Sequence, residues 1–171
     1  HLDFDDLLGL LRRHFPGDEL RLATLYHNVG GLEHARGRHA RGERFARRAL
    51  ALRERALGPE HADVARDAAA LAGLLDGQGR HAEAEALHRR ALALFERRLG
   101  RDHAEVGYTL ENLAACLHAS GRPAAALPRA RRAVQLLRKR LGAEHPDTRH
   151  AAANLVVIER AAGWDVVEPG R

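Results

Sequence analysis

The feature that most constrains this chain is an internal period of 42 residues. Leu-Gly recurs at Leu57-Gly58, Leu99-Gly100 and Leu141-Gly142, each followed shortly by a histidine: His61, His103 and His145. A second glycine column, Gly37, Gly79, Gly121 and Gly163, keeps the same interval. Arg47-Arg48-Ala49-Leu50, Arg89-Arg90-Ala91-Leu92 and Arg131-Arg132-Ala133-Val134 fall in the same register. Independent columns sharing one spacing mark a repeat architecture, in which a unit buries its apolar face against its neighbours.

Each unit reads as two helices. Val106, Leu110, Leu113, Ala114 and Leu117 line one face at helical spacing, and Gly121 supplies the stop. Ala84, Leu87, His88, Ala91, Leu92 and Phe95 form the stripe of a second helix, which Gly100 ends. Asp63, Glu105 and Asp147 fall in the first turn of the next helix, where the dipole favours an anion. Pro146 suits a first helical position. The earliest full unit is weaker. Its first helix, from Asp18 to about Leu32, contains Gly30-Gly31, each costing ~1 kcal/mol relative to alanine. One period before the second-helix columns lies another apolar stripe, Phe4, Leu7, Leu8, Leu11 and Phe15.

The predicted organisation is therefore a half repeat over 1–17, a lone second helix. Repeats over 18–57, 58–99 and 100–141 follow, then the first helix of a fourth over 142–163 and a tail over 164–171, all in one domain. That makes about eight helices. In the tail, Trp164 stands where the other units have Arg38, Arg80 and Arg122. The tail either folds back over the last helix through Trp164, Val166 and Val167, or frays as termini commonly do.

Composition agrees with an all-α chain. Alanine occurs 33 times and arginine 27 times, while aromatic residues are only 4%. Helix formers abound and strand formers are scarce, which argues against an all-β fold. No apolar run is long enough to span a membrane. The single cysteine, Cys116, cannot form a disulfide within the chain, and the first residues lack the pattern of a signal peptide. A cytoplasmic setting is expected, and the missing initiating Met points to a piece of a longer protein. The net charge of +5 is modest for 171 residues.

Helix pairs with a glycine between them resemble the tetratricopeptide repeat. The family's small residue in the first helix matches Gly30, Ala72 and Ala114, with Val156 a departure. Those of the second helix match Gly42, Ala84 and Ala126, then Ala49, Ala91 and Ala133. The 42-residue unit with Leu-Gly-x-x-His-x-Asp/Glu is similar to the kinesin light chain subtype. So are Glu111-Asn112-Leu113-Ala114-Ala115-Cys116-Leu117 and Gly79-Arg80-His81-Ala82-Glu83-Ala84-Glu85. The resemblance implies a right-handed superhelix, an α-solenoid of antiparallel helix pairs, with a concave groove lined by first helices. It implies no cofactor.

No residue pattern points to catalysis. There is no His-Glu-x-x-His, no Cys-x-x-Cys and no phosphate loop, so no metal or nucleotide site is expected. The periodic histidines read as helix caps. The groove positions implied by the resemblance are Thr24, His27 and Asn28, with His34, in the first unit, and Arg66, with Asp76, in the second. The third supplies Tyr108, Glu111, Asn112 and His118, and the fourth His150, Asn154 and Arg160, with Val157. Asn28, Asn112 and Asn154 share a column. Asparagine both donates and accepts, so it can hold a peptide backbone, or it can bond a neighbouring helix. Of the family's carboxylate-clamp positions, which fall on Thr24, Asn28, Ala70, Tyr108 and Asn112, only Asn28 agrees.

The expected function is a non-enzymatic scaffold whose partner is a protein or peptide. Two other readings stand beside it. One is a sensor or oligomerisation module of a larger bacterial signalling protein, self-associating through its terminal helices. The other is nucleic-acid binding through arginines of the second helices, such as Arg44, Arg48, Arg53, Arg129, Arg132 and Arg138; acidic residues interrupt that stripe and aromatic residues for stacking are sparse.

Overall fold

The structure, a computed structural model, describes residues 17–163 together with Asp6, Gly9, Leu10, Arg13 and His14. Seven helices lie within 17–163: α1 (Glu19–Ala35), α2 (His39–Leu57), α3 (Ala62–Asp76), α4 (His81–Leu99), α5 (Ala104–Ala119), α6 (Pro123–Leu141) and α7 (Pro146–Ala161). Among the described residues all regular structure is helical. The stripe Phe4, Leu7, Leu8, Leu11 and Phe15 and the tail from Trp164 lie outside the described residues.

The repeat columns turn out to be punctuation. His61, His103 and His145 are N-caps whose Nδ1 accepts a hydrogen bond from the backbone N–H of Asp63, Glu105 and Asp147, at 3.1, 3.2 and 3.3 Å. Each satisfies a donor the helix itself leaves orphaned. Gly37, Gly79, Gly121 and Gly163 all have positive φ, between 70° and 78°. Arg38, Arg80 and Arg122 then reach back to the carbonyls of Glu33, Leu75 and Leu117 at 2.8, 3.0 and 2.9 Å. This is the Schellman stop, which needs a left-handed residue that glycine supplies without penalty.

The helices belong to two compact units, divided at Leu87 and His88 within α4. In the first, α1 packs on α2, and α3 packs on both. Tyr26 and Phe45, both buried, meet with ring centroids 6.1 Å apart, beside Leu22 and Ala49. Burying each such ring contributes about 1.5–3 kcal/mol. In the second unit, α6 packs on α5 and α7. Leu113, Ala114, Leu117, Leu127, Ala130 and Ile158 form one cluster, and Val134, Leu137 and Ala151 another.

Where α1 crosses α2, the glycine that close contact requires is Gly42 rather than either member of the α1 pair. A Cβ on Gly42 would lie 2.6 Å from Leu74 and 3.0 Å from the Gly30 carbonyl, and one on Gly30 would lie 3.5 Å from the Gly42 carbonyl. The backbones of α1 and α2 therefore cross in near contact there. A Cβ on Gly31 would meet nothing within 4 Å. Gly42→Ala should cost about 1–3 kcal/mol through overpacking. Gly31→Ala should stabilise by about 0.5–1 kcal/mol through helix propensity. Urea unfolding of the two variants reads the opposite signs.

Candidate functional site

The first-helix residues expected to face a partner do not share one environment. In the first unit Thr24, Asn28 and Arg66 are exposed and His27 is half-buried. Arg66 pairs with Asp63 one turn earlier. His27 is held: its Nδ1 donates to Asp67 Oδ1 at 2.7 Å, bridging α1 to α3. Asp67 is 1% exposed and also accepts from Arg53 Nε at 2.6 Å. A second arm of Arg53 reaches Thr24 Oγ1 at 3.4 Å. Arg53, one of the second-helix arginines offered as a nucleic-acid stripe, is instead drawn inward by a buried carboxylate on α3. His34 is exposed, and its pKa is lowered by partial burial and by neighbouring His39.

In the second unit Tyr108, Glu111, His118 and Asn154 are half-buried, and Asn112, His150, Val157 and Arg160 are exposed. Here α5 and α7 meet through polar contacts. Tyr108 donates to Asp147 Oδ2 at 2.8 Å. Asn154 Nδ2 donates to Glu111 Oε1 at 3.1 Å and to His150 Nε2 at 3.2 Å. The asparagine column is therefore divided. Asn154 bonds the neighbouring helix, whereas Asn28 and Asn112 are exposed and make no side-chain hydrogen bond among the described residues.

Two groups on this face titrate away from their ordinary values. The hydrogen bond to Asp147 pushes the Tyr108 hydroxyl up to about 12, helped by burial and by the charges of Asp147, Glu105 and Glu111. Burial raises the Glu111 carboxyl above its ordinary value, against the pull of His150 and the Asn154 hydrogen bond. Elsewhere, carboxylates shielded from water have cations close by. Arg36, Arg38 and Arg41 surround Glu33 at 3.7–3.9 Å. Glu43 has Arg47 and Arg80, and although burial works against its charge, hydrogen bonds from Gln78, Arg47 and Arg80 hold its pKa low. Glu96 has Arg132 at 2.7 Å, and Glu159 has Arg131 at 3.2 Å.

Asp67, Arg53 and Asp147 were not among the residues expected to face a partner. Asp67 carried a usable signal, being the one charge within the apolar stripe Val64, Ala68, Leu71 and Leu75. Asp147 carried none beyond its place in a first turn.

These helix pairs, with their periodic caps and small-residue crossings, define a helical-repeat protein. The tetratricopeptide repeat family profile matches residues 21–97, 68–139 and 105–163, and the chain belongs to that family. Its structural neighbours include proteins of kinesin light chain type. A Podosopora anserina kinesin light chain-type protein with nearly identical TPR-like repeats superposes with a TM-score of 0.78 at 21% identity, over 86% of this chain and 70% of that one. BtubC (BKLC) from P. vanneervenii superposes with a TM-score of 0.79 at 24% identity, over 95% and 67%. A TPR-like protein from Chlorobium tepidum gives 0.67 at 24% identity, over 85% and 94%. No curated protein matches by sequence.

The paired and unpaired carboxylates predict opposite mutational signs. Asp67→Ala strands Arg53 and should cost about 3–5 kcal/mol. Glu111→Gln removes a charge that burial disfavours. With its folded pKa raised, native Glu111 holds its proton to higher pH than the unfolded chain does. Its ionisation therefore erodes stability as pH rises through the unfolded and then the folded value. The Gln variant should match the parent in acid and exceed it at neutral pH. Urea unfolding of both variants across pH checks both signs.

Proposed function

We propose that the chain is a non-enzymatic scaffold that binds an extended segment or helix of a partner protein on the first-helix faces of its units. The tetratricopeptide fold is in general a protein-interaction scaffold. The observation that carries the reading is the division of each first helix. In α5, Val106, Leu110, Leu113 and Leu117 are buried, while Tyr108, Glu111 and Asn112 keep access to solvent. In α1, Leu22, Ala23 and Tyr26 are buried, while Thr24 and Asn28 are exposed. Within the first unit the set is Thr24, His27, Asn28 and Arg66. Within the second it is Tyr108, Glu111, Asn112, His118, His150, Asn154 and Arg160. Asn28 and Asn112 offer both donor and acceptor to a peptide backbone, which supplies affinity independent of side chains.

The second helices lend less support to a nucleic-acid role, since Arg47, Arg53, Arg55, Arg131, Arg132 and Lys139 are engaged by the chain's own carboxylates. No helix among the described residues is long and apolar enough to cross a membrane. Cys116 is buried and in no disulfide among the described residues, which suits a reducing cytoplasm.

A second reading rests on α7, where Val156 and Val157 are 39% and 53% exposed. Self-association through this helix would cover them. Light scattering of the full chain at rising concentration tests it, and a constant monomer mass would refute it.

The primary reading is tested by panning the full chain against a random dodecapeptide library displayed on phage. Asn28→Ala with Asn112→Ala should weaken the recovered peptides about tenfold, the scale of one or two lost hydrogen bonds. Arg48→Ala, on an exposed second-helix position, should leave them unchanged. Equal binding by the asparagine variant would remove the first helices as the docking face.

A further inference from the structure

Glu111 and Asp147 differ from the shielded carboxylates described above. The sequence holds 28 lysines and arginines, and at Glu33, Glu43, Asp67, Glu96 and Glu159 one or more of them lies within ion-pair distance. Glu111 is more enclosed than most, with a side chain only 13% exposed, yet its near partners are neutral Asn154 and the exposed ring of His150 at 3.5 Å. Asp147 accepts from the Tyr108 hydroxyl and lies 3.7 Å from His145. Neither has a lysine or arginine partner among the described residues. Water is partly excluded, so the charge of Glu111 is poorly compensated, and an incoming cation would meet little competition.

We propose that the α5–α7 face of the second unit selects a lysine or arginine side chain of an extended partner peptide, with Glu111 and Asp147 as its receiving carboxylates. The inference rests on the first-helix docking reading and adds its charge preference. Chemistry and position agree. Tyr108, Glu111 and Asn112 project from one helix, and His150 and Asn154 from the next, so a peptide lying across α5 and α7 would pass its side chains over both carboxylates. Asn112 would hold the backbone and Glu111 would read the side chain. Burial disfavours the charge of Glu111, and the Tyr108 hydroxyl is bound to Asp147, so a cation placed between the two carboxylates would offset a cost already present. The whole chain carries a net charge of +5 and so repels cationic peptides at long range. A cationic preference must then come from this face.

The test uses the same dodecapeptide library, panned in parallel on the full-length parent, Glu111→Gln and Glu111→Lys, each checked for helicity by circular dichroism. Peptides recovered on the parent should share a lysine or arginine at one position, and replacing it by alanine should weaken binding about tenfold. Glu111→Gln should lose that fixed position while still recovering peptides through Asn112. Glu111→Lys should exchange it for aspartate or glutamate. Should Glu111→Lys fail to fold, Asp147→Asn serves as the second variant and should lower the basic preference. Peptides that bind the parent with no fixed basic position overturn the charge preference and leave the docking reading standing. A parent that recovers no peptide overturns both.

Discussion

How closely two helices of a pair can approach governs the rest of each unit. Where α1 crosses α2, Gly30 and Gly42 bring backbone to within one side-chain atom of backbone, and Leu74 of α3 fills what remains. In the second unit Gly107 plays the same part for Leu137, which would lie 2.9 Å from a Cβ there. Close crossing at small residues brings larger neighbours, Tyr26 and Phe45 or Leu113 and Leu117, into dense contact. It also sets which first-helix positions turn away from the second helix. The solvent-facing columns follow from the crossing, and the crossing follows from residues with almost no side chain.

Buried charge is handled in two ways, and the contrast bears on function. Asp67 is enclosed and matched by Arg53 and His27, so removing one partner exposes the chain to the cost of an uncompensated ion. Such a network fixes α1, α2 and α3 in register and leaves little of the carboxylate for a ligand. Glu111 is enclosed with only the exposed ring of His150 and neutral Asn154 beside it and no lysine or arginine, a state that burial makes unfavourable. A protein tolerates such a group when stability is exchanged for recognition. Asp67 is the more deeply buried of the two, and an arginine one helix away reaches it, whereas none reaches Glu111.

Helix α7 departs from the pattern it shares with α5. Its residues one period after the buried Gly107, Leu110 and Leu117 of α5 are Arg149, Ala152 and Glu159. Glu159 takes up Arg131 of α6 rather than entering a core. Within α7 these positions are therefore more polar than their counterparts in α5. Val156 and Val157 are the apolar remainder on that helix.

Much of the fold was legible in the sequence because it is written in local terms. A histidine two residues before an acidic first turn caps a helix, and a glycine with positive φ ends one, whatever surrounds them. These signals recur every 42 residues, so they placed the helix ends within a few residues and fixed which helices pair. The first helix ran on to Ala35, past the expected Leu32, since Gly30 and Gly31 remain helical and the Schellman stop comes only at Gly37. Which polar side chains stay free was decided by the tertiary structure alone. Asn112 and Asn154 occupy one column, yet only Asn154 finds Glu111 within reach. Arg53 reads as one more surface arginine until α3 delivers Asp67 beside it. Partners like these lie a helix or a repeat apart in sequence, and with so many arginines any could have answered Glu111. Caps and stops are settled within a few residues of backbone, whereas the pairing of a charge depends on where distant helices carry its neighbours.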